Sequence, residues 1–295
     1  NFERGSWPSN RILSETVLLP NALNDTEVEN FHTDGYHVPM PVMSVAQAEA
    51  YREKLERFEA RWPENTHMLD QGASLLCPWI DDMTRLPGIL DPIADVLGPN
   101  LLCWGVSLRL KEPRTQTFAG WHQDTAYCEI RPIVVIAAVA LSDCSEAAGP
   151  LRVIPGSHKG ATLPHIEKFG TQSMLTREQE IAAELDTARA VTLPMAAGEM
   201  MFFNNAICHS SGANQTADRR IIFLIEYVPT HASQEKPRES AMMVRGQDAF
   251  HNFDEDPRPD AEMSEAAIAA WRRKVEVQVS VLYRGAKHPP RALVK

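Results

Sequence analysis

His122-Gln123-Asp124 is the stretch of this chain whose residue types and spacing can do chemistry. In an extended strand, side chains i and i+2 point to one face. A ring nitrogen of His122 and a carboxylate oxygen of Asp124 can therefore aim at one point while Gln123 faces away. Two such ligands leave a divalent ion unfinished, so a third is expected from a distant strand. His209, at the end of Phe202-Phe203-Asn204-Asn205-Ala206-Ile207-Cys208-His209, is the best candidate. Two histidines and one carboxylate form the facial triad that holds iron(II) and keeps positions open for oxygen chemistry. A lone His-x-Asp carries little weight, because a hydrogen-bonded surface pair is spelled the same way. The elements around it decide.

Those elements change character near residue 100. The preceding part reads mainly as helix. Residues 25–32 form a short helix stopped near Gly35, and Ser44 with Gln47 makes a capping box. The helix it opens carries Ala48, Tyr51, Leu55 and Phe58 on one apolar stripe and breaks at Pro63. Residues 87–97 form a third helix, with Gly98 at its C-terminal cap. From Leu101 onward come short apolar runs split by Gly, Pro and Asp. Residues 101–110, 133–141, 151–154, 190–193, 199–203 and 220–228 read as strands. Many short strands at this spacing predict an antiparallel double-stranded β-helix, a cupin-like jelly roll with one mouth open for a site. Residues 164–186 read as a charged, partly helical insertion, and 230–259 as a long polar surface loop of the kind that forms lids. A last helix over 261–283 is expected to pack outside the sandwich through Ile268, Trp271, Val275 and Leu282. The expected organisation is one mainly β domain over 1–295. It has helical support in 1–100, a jelly-roll core in 101–229, a lid-like loop in 230–260 and a C-terminal helix in 261–285.

Composition narrows the class. Lys plus Arg is 29 against Asp plus Glu 39, a net charge of −10, with no basic run to follow a phosphate backbone. Nucleic acid is not an expected partner. The balance favours neutral or cationic small substrates over polyanions. The five cysteines lack CxxC spacing, which predicts reduced, buried thiols in a cytoplasmic protein rather than disulfides or a zinc site. No stretch reaches the roughly 18 apolar residues of a membrane span, and the opening residues contain no secretory hydrophobic run. A small-molecule substrate, without membrane partners, is expected.

Four stretches then fall in order: Trp121-His122-Gln123-Asp124; Ala148-Gly149-Pro150-Leu151 running to Ile154-Pro155-Gly156-Ser157-His158; Ala197-Gly198-Glu199; and His209-Ser210-Ser211-Gly212-Ala213-Asn214 followed by Arg219-Arg220. With Phe31-His32-Thr33-Asp34-Gly35-Tyr36 and Val244-Arg245-Gly246-Gln247-Asp248, the pattern covers about residues 31–285. It resembles the phytanoyl-CoA dioxygenase family of Fe(II)/2-oxoglutarate oxygenases, in its bacterial branch. The resemblance implies an oxidoreductase, a hydroxylase of secondary metabolism. Such an enzyme uses O2 and 2-oxoglutarate to oxidise an unactivated C–H bond of a small metabolite, releasing succinate and CO2.

The resemblance also implies roles. His122, Asp124 and His209 are the iron ligands. Arg220 lies 220 − 209 = 11 residues past His209, where the family places the arginine that grips the far carboxylate of 2-oxoglutarate, and a guanidinium makes that bond in pairs. Ser211 shares a strand face with His209 and adds a hydroxyl. Arg109 and Lys111 share a face ahead of the motif, and Arg109 is a further candidate contact for 2-oxoglutarate or a substrate anion. Arg219 points to solvent. His158 is a turn residue rather than a fourth ligand, and Cys208 is packing. Asn214 orients a ligand or Arg220. Phe118, Trp121 and Tyr127 are pocket or core aromatics. Arg245 and His251 lie in the expected lid, as substrate contacts or as solvated loop residues. No protein general base is required. The alternative is a cupin-like metal-binding protein without oxygenase activity, which leaves Arg220 and Ser211 without a role.

Overall fold

Side-chain caps start the helices. The Asn24 side chain accepts from the Glu27 backbone N–H, and Glu27 accepts from that of Asn24, a reciprocal box that opens α1 (Asp25–Asp34). Ser44 and Gln47 repeat it for α2 (Val45–Arg61). Proline at the first turn opens α3 (Pro78–Thr84) and α4 (Pro87–Leu97), where its missing N–H has no intrahelical partner to lose. Phe31, Leu55, Phe58, Ile80 and Ile93 of these helices are buried in one core cluster. The computed structural model describes residues 22–126, 128–168, 172–234 and 237–286.

Between α1 and α2 runs β1 (Tyr36–Pro41), a strand in a stretch expected to be mainly helical. Pro39 and Pro41 disguise it in the sequence. It lies at the edge of its sheet, where a strand tolerates proline. The other strands are β2 (Leu101–Lys111), β3 (Ala119–His122), β4 (Val135–Ala140), β5 (Leu151–Val153), β6 (His165–Glu167), β7 (Gln179–Ile181), β8 (Val191–Leu193), β9 (Glu199–Asn204), β10 (His209–Ser211), β11 (Arg220–Pro229), β12 (Ser240–Arg245) and β13 (Asp254–Glu255). A seven-stranded sheet runs β1-β9-β4-β11-β2-β12-β13, and a four-stranded sheet runs β3-β10-β5-β8. The two face each other as the expected jelly roll. Ile136, Ala138, Phe203 and Ile222 of the larger sheet meet Leu151, Val153 and Leu193 of the smaller. The opposite face of the larger sheet, with Ala137, Phe202, Phe223 and Ile225, packs on the helices. Both faces are covered, which is why β4 and the first part of β11 read as nearly unbroken apolar runs.

Two expectations are corrected. Residues 164–186 contain no helix among the described residues. They contain β6 and β7, an antiparallel pair with His165 opposite Ile181. Residues 230–259 are not one loop, because β12 pairs with β2 through Met242 and Cys103. Its Ala241 and Met242 are buried, within a four-residue apolar run, Ala241-Met242-Met243-Val244, set in an otherwise polar stretch.

The last helix, α5 (Glu265–Leu282), is capped by Ser264. Trp271 is buried and donates its indole N–H to the Gln71 carbonyl at 2.7 Å. Lys274 crosses to Asp256 at 2.5 Å and to the Ser240 carbonyl at 2.6 Å, tying α5 to β12. No helix among the described residues is long and apolar enough to cross a membrane. All five cysteines are buried and unpaired.

The Lys274–Asp256 pair is buried on both sides, with side chains 3% and 7% exposed. Removing one partner strands the other charge. Asp256→Ala is expected to lower stability by about 3–5 kcal/mol, whereas the double change Lys274→Met, Asp256→Leu costs far less. Urea unfolding of the three proteins checks this, and equal stabilities for the single and double variants would contradict it.

Candidate active site

Strand register brings the two histidines together. His122 and His209 are direct partners where β3 pairs with β10, and their ring centroids lie 4.0 Å apart. Asp124 reaches them differently from the extended-strand expectation. The strand ends at His122, and Asp124 opens a 3-10 turn (Asp124–Ala126), its backbone N–H donating to the Asn205 carbonyl at 3.0 Å. Gln123 does face away. It is buried, donates to the Ala206 carbonyl at 2.7 Å and accepts from the Leu163 N–H at 2.8 Å.

His122 Nε2 stands 3.5 Å from Asp124 Oδ1, and His209 Nε2 stands 3.7 Å from Asp124 Oδ2. One ligand atom from each residue falls within 4.8 Å of the others. Cis donors around a small ion, each about 2.1 Å from it, lie on the order of 3 Å apart, so slight closure completes such a site. The tautomers suit it. His122 Nδ1 meets the Gly120 carbonyl at 2.8 Å, and His209 Nδ1 meets the Ile207 carbonyl at 3.0 Å. A carbonyl only accepts, so Nδ1 carries the proton and Nε2 keeps its lone pair for a metal. Burial, reinforced by His209, holds the His122 imidazolium well below the ordinary histidine range. The neutral ring is the ligating form.

A small cavity of about 50 Å³ adjoins the histidines, lined by Arg220, Ser211 and Arg109 among others. Arg220 is 2% exposed. One guanidinium nitrogen donates to the Gly149 carbonyl at 2.9 Å and the other, weakly, to the Arg109 carbonyl at 3.4 Å. Its Nε has no partner, and among the described residues no carboxylate pairs with it. Burial first lowers its pKa to about 10. A buried guanidinium with spare donors can take an anionic ligand through paired hydrogen bonds. Gly149 (φ 72) lies so close to the Gly212 carbonyl that a Cβ there would sit 2.2 Å from it; the missing side chain lets these two turns meet beside Arg220. The buried Lys111 donates to Ser211 Oγ at 2.8 Å and also to the Gly212 carbonyl. Ser211 thus accepts from Lys111 and keeps its own proton free to donate.

The remaining candidates scatter. Arg109 borders both this cavity and a larger one, and donates to the Asp70 carbonyl at 3.0 Å. Arg219 points away and pairs with Glu59 and Glu112. Asn214 hydrogen-bonds to neither His209 nor Arg220. It clamps the turn before β11 through the Lys111, Glu112 and Asp218 carbonyls. Arg245 pairs with Asp91 at 2.5 Å and His251 is exposed; neither borders the cavities at the triad. The His158 ring meets the His32 carbonyl at 3.2 Å, Trp121 lies under Arg152, and Phe118 bridges to Ser173. Cys208 is buried packing. Tyr127 lies outside the described residues.

The larger cavity, about 180 Å³, opens on His122, Asp124 and His209. It is walled by β2, by Met174 and Leu175, and by Gln278, Val281 and Leu282 of α5. The helix expected merely to pack outside the sandwich thus also forms a wall of the site. Glu226 and Glu239 line the cavity too, and sequence reasoning passed over both. Glu226 had a signal: a lone acid in Arg220-Ile221-Ile222-Phe223-Leu224-Ile225-Glu226-Tyr227-Val228.

Comparison with known proteins agrees with this geometry. The sequence profile of the family described as Phytanoyl-CoA dioxygenase (PhyH) matches residues 31–222. A probable phytanoyl-CoA dioxygenase of Caenorhabditis elegans is 30% identical over 148 residues, 47% of this chain and 47% of that protein. The L-proline trans-4-hydroxylase of Streptomyces griseoviridis is 25% identical over 224 residues, 66% of this chain and 82% of that enzyme. This chain therefore spans about half the length of the nematode relative. Among solved structures, the non-heme monooxygenase ThoJ in its apo form superposes with a TM-score of 0.79 at 29% identity, covering 87% of this chain and 97% of that one. Its nickel complex superposes at 0.74 and 26% identity, covering 87% and 98%.

Lys111 supplies a pH test of the site's packing. Burial, then Arg220, push its ammonium down to about 6 from an ordinary 10.5. Between those values the unfolded chain holds a proton that the folded chain has released, so stability rises with pH across the window. Unfolding free energies of metal-free wild type and Lys111→Met, measured from about pH 6 to about 10, are expected to diverge, with wild type gaining as pH rises. Parallel curves would contradict the assignment.

Proposed function

This chain belongs to the phytanoyl-CoA dioxygenase family, and from that premise we propose that it is an Fe(II)/2-oxoglutarate-dependent oxygenase, one that hydroxylates or otherwise oxidises an unactivated C–H bond of a small metabolite. His122, Asp124 and His209 hold the iron. When bound, the iron supplies the oxidising chemistry with O2 and 2-oxoglutarate, and succinate and CO2 leave. The chain's own task is placement. The Nδ1 bonds fix each imidazole, and the turn at Gln123 sets the carboxylate. Arg220 takes the far carboxylate of 2-oxoglutarate, with Ser211 donating beside it and Arg109 flanking. Water is kept out by Leu151, Phe203 and Ile222 around that carboxylate. No side chain is needed to move a proton from the substrate carbon.

The observation that carries this reading is Arg220, a buried guanidinium with no carboxylate partner among the described residues, in a cavity that touches both histidines. A cupin that merely stores metal has no use for it. The family's names range from an acyl-CoA to free proline, which supports a small-molecule substrate and leaves its class to the second cavity.

Removing one member of a buried charge pair costs about 2–5 kcal/mol, roughly 30- to several-thousand-fold in affinity. Arg220→Ala is expected to lose 2-oxoglutarate binding by that factor. Arg220→Lys recovers part of it, since an ammonium lacks the paired donors. Iron binding survives both changes, and Arg219→Ala matches wild type. Anaerobic titration of 2-oxoglutarate into the iron-loaded proteins decides it, and unchanged affinity in Arg220→Ala would overturn the proposal.

A further inference from the structure

We infer that the larger cavity selects a substrate carrying a protonated amino group, with Glu226 as its counter-ion. The inference rests on the oxygenase reading above and names the substrate class of that same site.

One face of β11 carries Arg220, Ile222, Leu224 and Glu226 in alternation, because side chains two apart share a face. Arg220 and Ile222 border the cosubstrate cavity, Glu226 borders the larger one, and Leu224 borders both. One strand thus presents a cation at the cosubstrate end and an anion at the other. The space for that anion is built in. Gly105 is the direct partner of Glu226 on β2, and a Cβ there would lie 2.3 Å from Glu226 Oε2. Any other residue would force the carboxylate to move.

Among the described residues, no lysine or arginine pairs with Glu226. Its neighbours do not neutralise the cavity either. Among the described residues, Glu239, 3% exposed, accepts from neutral donors, the Trp104 indole at 2.6 Å and the Gln234 amide at 2.7 Å. With the exposed Asp70 and with Asp124, the described lining holds four carboxylates against the one guanidinium of Arg109. Burial above all raises the Glu226 carboxyl, to about 7, and a cation bound beside it would favour its charged form. A second group waits beside it. Ser107 lies on β2 opposite Leu224, is 5% exposed, lines the cavity, and its hydroxyl has no partner. A ligand ammonium answers both, since it neutralises Glu226 and donates to Ser107. An anionic head group would meet the same carboxylates as repulsion, and a purely apolar chain would leave both groups unpaired.

The test uses the full chain loaded anaerobically with Fe(II) and saturated with 2-oxoglutarate, the cosubstrate titration being run first. The probes are short alkylamines, diamines and α-amino acids, each beside its N-acetyl derivative, titrated by calorimetry. Amine members are expected to bind, with acetylation of the same amine weakening binding roughly 30-fold or more. Glu226→Gln should lose amine affinity by a similar factor while keeping its melting temperature and its 2-oxoglutarate affinity. Glu226→Asp should lose less. Gly105→Ala, which displaces the carboxylate without removing it, should also weaken amine binding. The inference is overturned if no amine binds, if acetylated probes bind as tightly as their parents, or if Glu226→Gln or, should that variant not fold, Gly105→Ala leaves amine affinity unchanged. A wild type that fails to take up 2-oxoglutarate instead defeats the oxygenase reading, and the first titration reveals that separately.

Discussion

The site depends on one cross-strand pairing, β3 against β10 with His122 facing His209. Residues directly opposite in an antiparallel pair hold their Cβ atoms about 4.5–5.5 Å apart through backbone alone. That pairing sets two imidazoles 4.0 Å apart without asking either side chain to stretch. It is itself held from both sides. β5 pairs with β10 through Val153 and His209, and Phe203 of the facing sheet packs against the His209 ring at 4.9 Å. Slipping the register by one residue would turn one imidazole to the opposite face.

Strand β11 extends the same economy of construction to the ligands. Its central position in the larger sheet, between β4 and β2, leaves its backbone no freedom, so Arg220 and Glu226 are fixed at opposite ends of one face. The two charges sit in unlike surroundings. Arg220 is cradled by carbonyls from the Gly149 turn and from β2. Glu226 has open space kept for it by Gly105. On the proposed reading, one strand sorts the anionic cosubstrate from a cationic substrate, and the metal lies between them.

Much of this was legible in the sequence because it is local. His122 and Asp124 are two residues apart, Ser211 is two residues past His209 on β10, and Arg220, across the turn that joins β10 to β11, was placed by the family resemblance. The jelly roll was legible from the spacing of apolar runs. What escaped was set by tertiary context. β1 is masked by two prolines that only an edge strand tolerates, and β12 by the long polar stretch in which its one short apolar run lies. Asn214 carries the same side chain whether it orients an arginine or clamps a turn; only the positions of the Lys111, Glu112 and Asp218 carbonyls decide. The inward side of α5 was hidden because Gln278 is polar and the rest of that face is ordinary core. Glu226 was readable as an anomaly, but its meaning needed the register that sets Gly105 opposite.

The central claim is that His122, Asp124 and His209 together would hold an iron that 2-oxoglutarate chelates. Anaerobic addition of Fe(II) and 2-oxoglutarate, followed by visible spectroscopy, tests it most directly. Wild type should develop the weak charge-transfer band of a chelated keto acid, and His122→Ala, Asp124→Ala and His209→Ala should each lack it while remaining folded. A band retained at full intensity in any one of the three would contradict the account.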